Sequence, residues 1–317
     1  MRSAAVRLVL AALAVIGCGE VVARVVEQQV QTPQLLWYDE ATQLKVAQME
    51  NRGPTTLVVA GTSMAWQGLV PSILLDGEAY NAGLAGGVPQ VMEPWLLGPV
   101  RTELQPTVVV WGLSSLDFSD VYGDTGRQIY REAPATRPGM LAATDRLLRR
   151  WSALIRQRPV LRNPSLLIGD GQVRTAERFH AAQRILGTDG ERQDFAPAVT
   201  DERASEVRAR ISPYRVDRDD VAAIVRTIEA LRVDGTVVVL VEMPVPPRFL
   251  ALYDDGAVQH RVVGDLLEAI GSELDVPVLS TSSVFTDDDF VDYTHLTASA
   301  AAEFSIEVSS QLQELGW

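Results

Sequence analysis

A serine, a histidine and a carboxylate brought to the ends of neighbouring β-strands can run nucleophilic acyl chemistry. The imidazole takes the serine proton, and the carboxylate holds the imidazole in one tautomer. The chain offers one such set. Ser63 lies in "VVAGTSMAWQG" (58–68), where an apolar run meets glycine, two hydroxyl residues and a segment able to form a helix. Asp292 and His295 lie in "TDDDFVDYTHLT" (286–297). Of the 3 histidines, His180 sits in the helical pattern "ERFHAAQR" and His260 in "AVQHRVVG", so only His295 follows a predicted strand. Asp292, three residues earlier, can reach one ring nitrogen and leave the other free as a base.

Each of these residues also has a plain structural reading. A serine between strand and helix commonly caps the helix, and a D-x-x-H pair can tie down a loop. "GTSMAWQG" lacks the lysine of a phosphate-binding loop and is not the G-x-S-x-G elbow. Asp287, Asp288 and Asp289 could offer oxygens to calcium, but the twelve-residue EF-hand spacing is absent and a solvated acidic loop is commoner. No metal or cofactor is expected. Glu242, ahead of "PVPP", either lines the site or ends a strand, and Trp66 and Gln67 either touch substrate or pack a helix.

The elements that must position these groups are legible as an alternation. Thr55–Gly61, Glu78–Gly83, Pro106–Gly112, Gly235–Pro244 and Val276–Ser283 read as buried strands bounded by turn residues. Helical patterns lie between them, in "VPQVMEPWLLGPVRTEL", "RDDVAAIVRTIEALRVDG" and "AVQHRVVGDLLEAIGSEL", and a C-terminal helix follows with Thr297 at or near its N-cap. Strands alternating with helices predict an α/β fold, a doubly wound parallel sheet of about five strands. In such sheets ligands bind beyond the carboxyl ends of the strands. That places Gly61, Thr62, Ser63, Asn81, Gly83, Gly86, Gly87, Gly112, Ser114, Ser115, Asp117, Glu242, Asp292 and His295 together. The regular spacing fails over 119–217, which reads as a helical insertion or cap containing "LLRRWSALIRQRP". Within it "FAPAVTDERASEVRARISP" is charged, flanked by proline and expected to be flexible.

Composition narrows the function further. The 317 residues are 47% hydrophobic and carry a net charge of −13, enough for a large core and without the basic footprint of nucleic-acid binding. The single cysteine, Cys18, excludes an internal disulfide framework. Residues 1–30 open with Arg2 and Arg7 ahead of an apolar run from Leu8 to Gly19, the pattern of an export signal. Three outcomes fit that segment: a retained membrane helix, a lipoprotein acylated at Cys18 of "VIGC", or a cleaved signal. All three place the domain at 31–317 outside the cytoplasmic membrane.

Three blocks in order carry a family resemblance. "GTSMAWQG" resembles the G-D-S-x-x-x-x-G block of the SGNH (GDSL-like) hydrolases, "NAGLAGG" their glycine block after the second strand, and "DYTHLT" their C-terminal D-x-x-H block. The resemblance implies a flavodoxin-like sheet, Ser63 as nucleophile, His295 as general base and Asp292 as its orienting carboxylate. It also implies an oxyanion hole from the N–H groups of Ser63 and Gly83. Two positions depart from the pattern. Thr62 stands where the family usually has aspartate, and "WGLSSLDF" puts Ser114 where its G-x-N-D block supplies an asparagine donor, a loss worth about 2.7 to 4 kcal/mol of transition-state stabilisation unless the Ser114 or Ser115 hydroxyl takes its place.

The resemblance implies a serine esterase or O-acyltransferase acting through an acyl-serine intermediate. Its exported, membrane-associated branch points to acyl esters of an envelope glycan or lipid and to a membrane partner able to supply an acyl donor. The alternative is a catalytically inactive protein of the same fold that binds envelope glycan.

Overall fold

The computed structural model describes residues 2–29, 31–32, 35–75, 78–130, 144, 148, 151–156, 173–174, 186–192, 199–255, 257–281 and 283–317. Five strands, β1 (Leu57–Gly61), β2 (Ala79–Asn81), β3 (Val108–Leu113), β4 (Val237–Glu242) and β5 (Val278–Leu279), form one sheet in the order β2-β1-β3-β4-β5. Every pairing is parallel. Four of the strands fall within the stretches expected from the sequence, and β3 runs one residue past its own, to Leu113. β1 and β3 are buried at every residue, as the continuous valine runs require of strands covered on both faces. The order reverses between β1 and β3, and there the loops part to leave a crevice.

Among the described residues, the helices of six or more residues are α1 (Arg2–Gln29), α2 (Leu35–Arg52), α3 (Ser63–Gly68), α4 (Pro89–Trp95), α5 (Asp120–Tyr130), α6 (Asp201–Ile211), α7 (Arg218–Val233), α8 (Ala257–Leu274) and α9 (Ala298–Glu314). The expected helix over "VPQVMEPWLLGPVRTEL" breaks into α4, a π turn (Leu96–Val100) and a single turn (Arg101–Leu104). Pro94 and Pro99 lie inside it and lack the N–H that a continuous ladder needs.

Two expectations for the insertion change. Val173–Arg174 pairs antiparallel with Gln31–Thr32, a short ladder where no strand was predicted. The segment expected to be flexible holds α6 instead. Thr200 caps it by accepting from the Arg203 N–H, acidic residues fill its first turn, and Arg208 and Arg210 fill its last, all complementing the helix dipole. Of "LLRRWSALIRQRP", Leu148 and residues 151–156 are described, and the rest lies outside the described residues.

Glu20 of α1 accepts from the Ser152 hydroxyl and the Ala153 and Leu154 N–H groups, so α1 caps the turn at Ala153–Arg156. Leu13, Val15, Ile16, Val21 and Val22 of α1 are exposed. Among the described residues, no helix is long and apolar enough to cross a membrane.

The edge at β2 is covered by residues 186–192, with the Asn81 N–H donating to the Asp189 carbonyl at 2.7 Å. The chain's one lysine, Lys45, clamps this cover. Its ammonium donates to the carbonyls of Asn81 (2.5 Å) and Gly190 (2.6 Å) and lies 4.8 Å from the Trp66 ring centroid. Lys45 is fully buried, and burial pushes its pKa down against the pull of Glu191.

Candidate active site

Gly61 ends β1 with φ +133, and a Cβ there would lie 2.4 Å from the Gly112 carbonyl oxygen. Only glycine lets β1 turn this tightly against β3. Thr62 then takes the N-cap position of α3 without a side-chain cap bond, and Ser63 is the first helical residue. The Ser63 N–H is therefore among the helix-start donors that have no intrahelical acceptor.

Ser63 is not the cap; its hydroxyl faces the C-terminal loop. There a bridge between Phe290 and Leu296, with the Val291 N–H donating to the His295 carbonyl at 2.9 Å, closes a tight turn around Asp292. Asp292 Oδ1 accepts the backbone N–H groups of Thr294 and His295 at 2.8 Å each. Asp292 Oδ2 lies 2.8 Å from His295 Nδ1, and His295 Nε2 lies 2.8 Å from Ser63 Oγ. Burial alone would raise the Asp292 pKa, but the hydrogen bond and charge of His295 and the two N–H groups together hold it well below the usual carboxylate range. The carboxylate stays ionised and accepts a hydrogen bond from Nδ1–H, which leaves Nε2 to accept from the serine.

α9 starts immediately after this loop, with Thr297 accepting from the Ala300 N–H at 3.2 Å. It also ties back to the nucleophile helix, since Ser305 Oγ donates to the Gly68 carbonyl at 3.3 Å. The loop bearing His295 and the helix bearing Ser63 are thus fixed to one another at both ends.

Two donors expected for an oxyanion are already engaged. The Gly83 N–H donates to Asn81 Oδ1 at 2.9 Å. The Ser114 hydroxyl donates to Asp117 Oδ2 at 2.7 Å, beside the capping box that the same two residues form. Ser115 does not replace it simply, because its hydroxyl accepts from Tyr253. The Ser63 N–H retains its helix-start position. In the same loop as Gly83, Gly86 is buried with φ +71 and its N–H donates to no acceptor among the described residues.

Three positioning contacts escaped the sequence reading. Asn81, completely buried, donates from Nδ2 to the Ala65 (3.0 Å), Trp66 (3.3 Å) and Leu69 (2.9 Å) carbonyls, and so holds the last turn of α3. Asp117 hydrogen-bonds both Ser114 and Thr62; the S-x-x-D spacing of 114–117 is a capping-box signature that could have been read in advance. Trp66 packs rather than reaching out, its indole donating to the Gly190 carbonyl at 2.7 Å. Third, α6 roofs the crevice, presenting Arg203, Val207 and Arg210 to a cleft of about 20 Å³ shared with Ser63 and His295. No pattern in the sequence locates α6 over the site.

Asp287 donates nothing to the reacting groups: its carboxylate accepts from the Arg248 N–H at 2.9 Å, while Asp289 accepts from Thr286 in a second capping box. Glu242 lies instead in a separate cavity, of about 230 Å³, with His260 and Phe285.

No family model matches the chain, and no curated protein matches it. Among solved structures, it is similar to a carbohydrate acetylesterase family member from Sinorhizobium meliloti, with 16% identity and a TM-score of 0.38, covering 83% of this chain and 100% of that one. It is also similar to the inhibitor-bound aryl esterase of M. smegmatis, with 13% identity and a TM-score of 0.36, covering 82% and 100% of the respective chains.

Proposed function

We propose that the protein is a serine esterase or acyltransferase of SGNH type, in which Ser63 is the nucleophile, His295 the general base and Asp292 its orienting carboxylate. The observation that carries this reading is the unbroken chain from Asp292 through His295 to Ser63, with both links at 2.8 Å. A structural tie would not need the imidazole's second nitrogen on a serine at a helix start.

In the proposed reaction His295 Nε2 accepts the Ser63 Oγ proton as Oγ attacks an ester carbonyl carbon. The carbonyl oxygen becomes an oxyanion held by the Ser63 N–H. Collapse breaks the ester C–O bond, and the imidazolium returns its proton to the departing alcohol, leaving an acyl-serine. Water completes hydrolysis, whereas a second hydroxyl completes transfer. Such a base contributes about 10²- to 10⁴-fold in rate.

The substrate we propose is an acylated envelope glycan or lipid, with the domain held outside the cytoplasmic membrane through α1 or an acylated Cys18 and served by a membrane acyl donor. The exposed apolar residues of α1 and the exposed Cys18 support this placement. A second reading, an inactive fold that binds glycan, draws on the engaged donors at Gly83 and Ser114.

Fluorophosphonate labelling separates the two. The wild-type protein should label on Ser63 and Ser63→Ala should not, and acetate should be released from an acetylated polysaccharide. Equal labelling of both proteins sinks the catalytic reading, and glycan binding by calorimetry without acetate release would favour the second.

A further inference from the structure

The crevice over Ser63 is more basic than the chain around it. Arg203, Val207 and Arg210 follow i, i+4, i+7 spacing along α6 and line one cleft with Ser63 and His295. The two arginines are in different situations. The Arg203 guanidinium lies 2.8 Å from Glu206 Oε2 and 3.8 Å from Asp292 Oδ2, so acids already hold it. The Arg210 guanidinium, half-buried, lies 5.7 Å from the Tyr122 ring centroid, and it makes no hydrogen bond or ion pair among the described residues. In a chain of net charge −13, acids to pair with it are plentiful. A partly desolvated cation facing a reactive serine without an acid beside it is costly, and an incoming anion relieves that cost.

We propose that Arg210 binds a carboxylate carried by the ester substrate. The inference rests on the esterase reading above and adds the class of ester. A guanidinium offers a planar fork matched to the two oxygens of a carboxylate, and the Tyr122 ring, with its centroid 5.7 Å away, attracts the cation at that position. The cleft has room for about one water. Arg210 and the Ser63 hydroxyl therefore border the same small space, and the carboxylate must lie within a few bonds of the ester carbon.

That acid has two sources. It can belong to the acyl group, as in a hemiester of a dicarboxylic acid, or to the alcohol, as in an acetylated uronic acid.

Two matched pairs test this: p-nitrophenyl hemisuccinate against p-nitrophenyl acetate, and O-acetyl methyl glucuronoside against O-acetyl methyl glucoside. The ratio of kcat/KM for acid over neutral ester should exceed one in the wild-type protein for at least one pair, and that pair names the source. Arg210→Gln should lower the ratio about 10- to 100-fold, mainly through KM. Arg210→Lys should recover part of it. A wild-type ratio at or below one in both pairs, or a ratio that Arg210→Gln leaves unmoved, overturns the proposal.

Failure of the esterase reading is told apart by calorimetry on Ser63→Ala with methyl glucuronoside and succinate, which needs no turnover. A carboxylate that binds Ser63→Ala but not the Ser63→Ala, Arg210→Gln double variant upholds the anion site even if no ester is cleaved. Equal or absent binding to both, together with no cleavage, rejects it.

Discussion

Ser114 donates both its backbone N–H and its hydroxyl to a single oxygen of Asp117, each at 2.7 Å. Thr62 hydrogen-bonds the same carboxylate. One buried acid therefore ties the end of β3 to the residue before the candidate nucleophile. Thr62 and Ser114, the two positions that differ from the blocks the chain resembles, share a partner.

That acid sets a pH dependence of stability. Burial pushes the Asp117 carboxyl up to about 6, although hydrogen bonds from Ser114 and Thr62 pull it down. The folded state thus holds its proton at pH values where the unfolded chain has lost it. Stability is greatest below the unfolded value near 3.8 and declines as pH rises toward 6. The difference amounts to about 3 kcal/mol. Asp117→Asn should remove this contribution, so urea midpoints at pH 4 and pH 7 should differ less in the variant than in the wild-type protein. An undiminished difference would show that another group sets the slope.

Asp292 acts with the opposite sign. Its carboxyl is held low, so its stabilisation is present above the unfolded value and fades as pH falls. Asp292→Asn should leave the fold intact at pH 7 but slow acylation by about 10³- to 10⁴-fold, because the imidazole loses its tautomer. Stopped-flow acylation with a p-nitrophenyl ester, beside circular dichroism, checks both halves of this expectation.

Asn81→Ala should destabilise the protein by about 2 to 4 kcal/mol, since it strips partners from three buried carbonyls and the Gly83 N–H. Chemical denaturation measures the loss. Fluorophosphonate labelling should slow as well, because the same contacts anchor the helix that begins at Ser63. A variant that loses stability but labels at the wild-type rate would confine Asn81 to folding.

Lys45 gives a native-state probe. It is the only lysine and fully buried, so an amine-reactive ester should leave it unmodified in the folded protein. Peptide mass spectrometry across a urea series should show its modification rising with global unfolding. Fast modification under native conditions would mean that the cover at residues 186–192 opens on its own.

The five strands were legible because each is a valine-rich run between turn residues, and a strand buried on both faces needs little else. His295 stood out by elimination among three histidines, and Asp292 by its spacing. What could not be read were contacts between residues far apart in the chain. Asn81 serves carbonyls of α3, Lys45 reaches across to Gly190, and α6 comes from within the insertion to cover the crevice. Charge and flanking proline argued for flexibility in "FAPAVTDERASEVRARISP" within the insertion, yet Thr200 and the order of acids before bases along α6 are start and stop signals in plain sight. Of the three expected oxyanion donors, two are engaged for a local reason: the Gly83 N–H and the Ser114 hydroxyl each have a side-chain acceptor two or three residues away, Asn81 and Asp117.

The cover over β2 also governs how copies of this chain meet one another. A parallel, valine-rich sheet with a bare margin would be a template for strand addition from a second molecule. Here Asp189 already accepts from Asn81 at one margin, under the clamp of Lys45, and β5 at the other is only two residues long. Loss of the clamp would therefore register first as self-association at high concentration, before any loss of secondary structure.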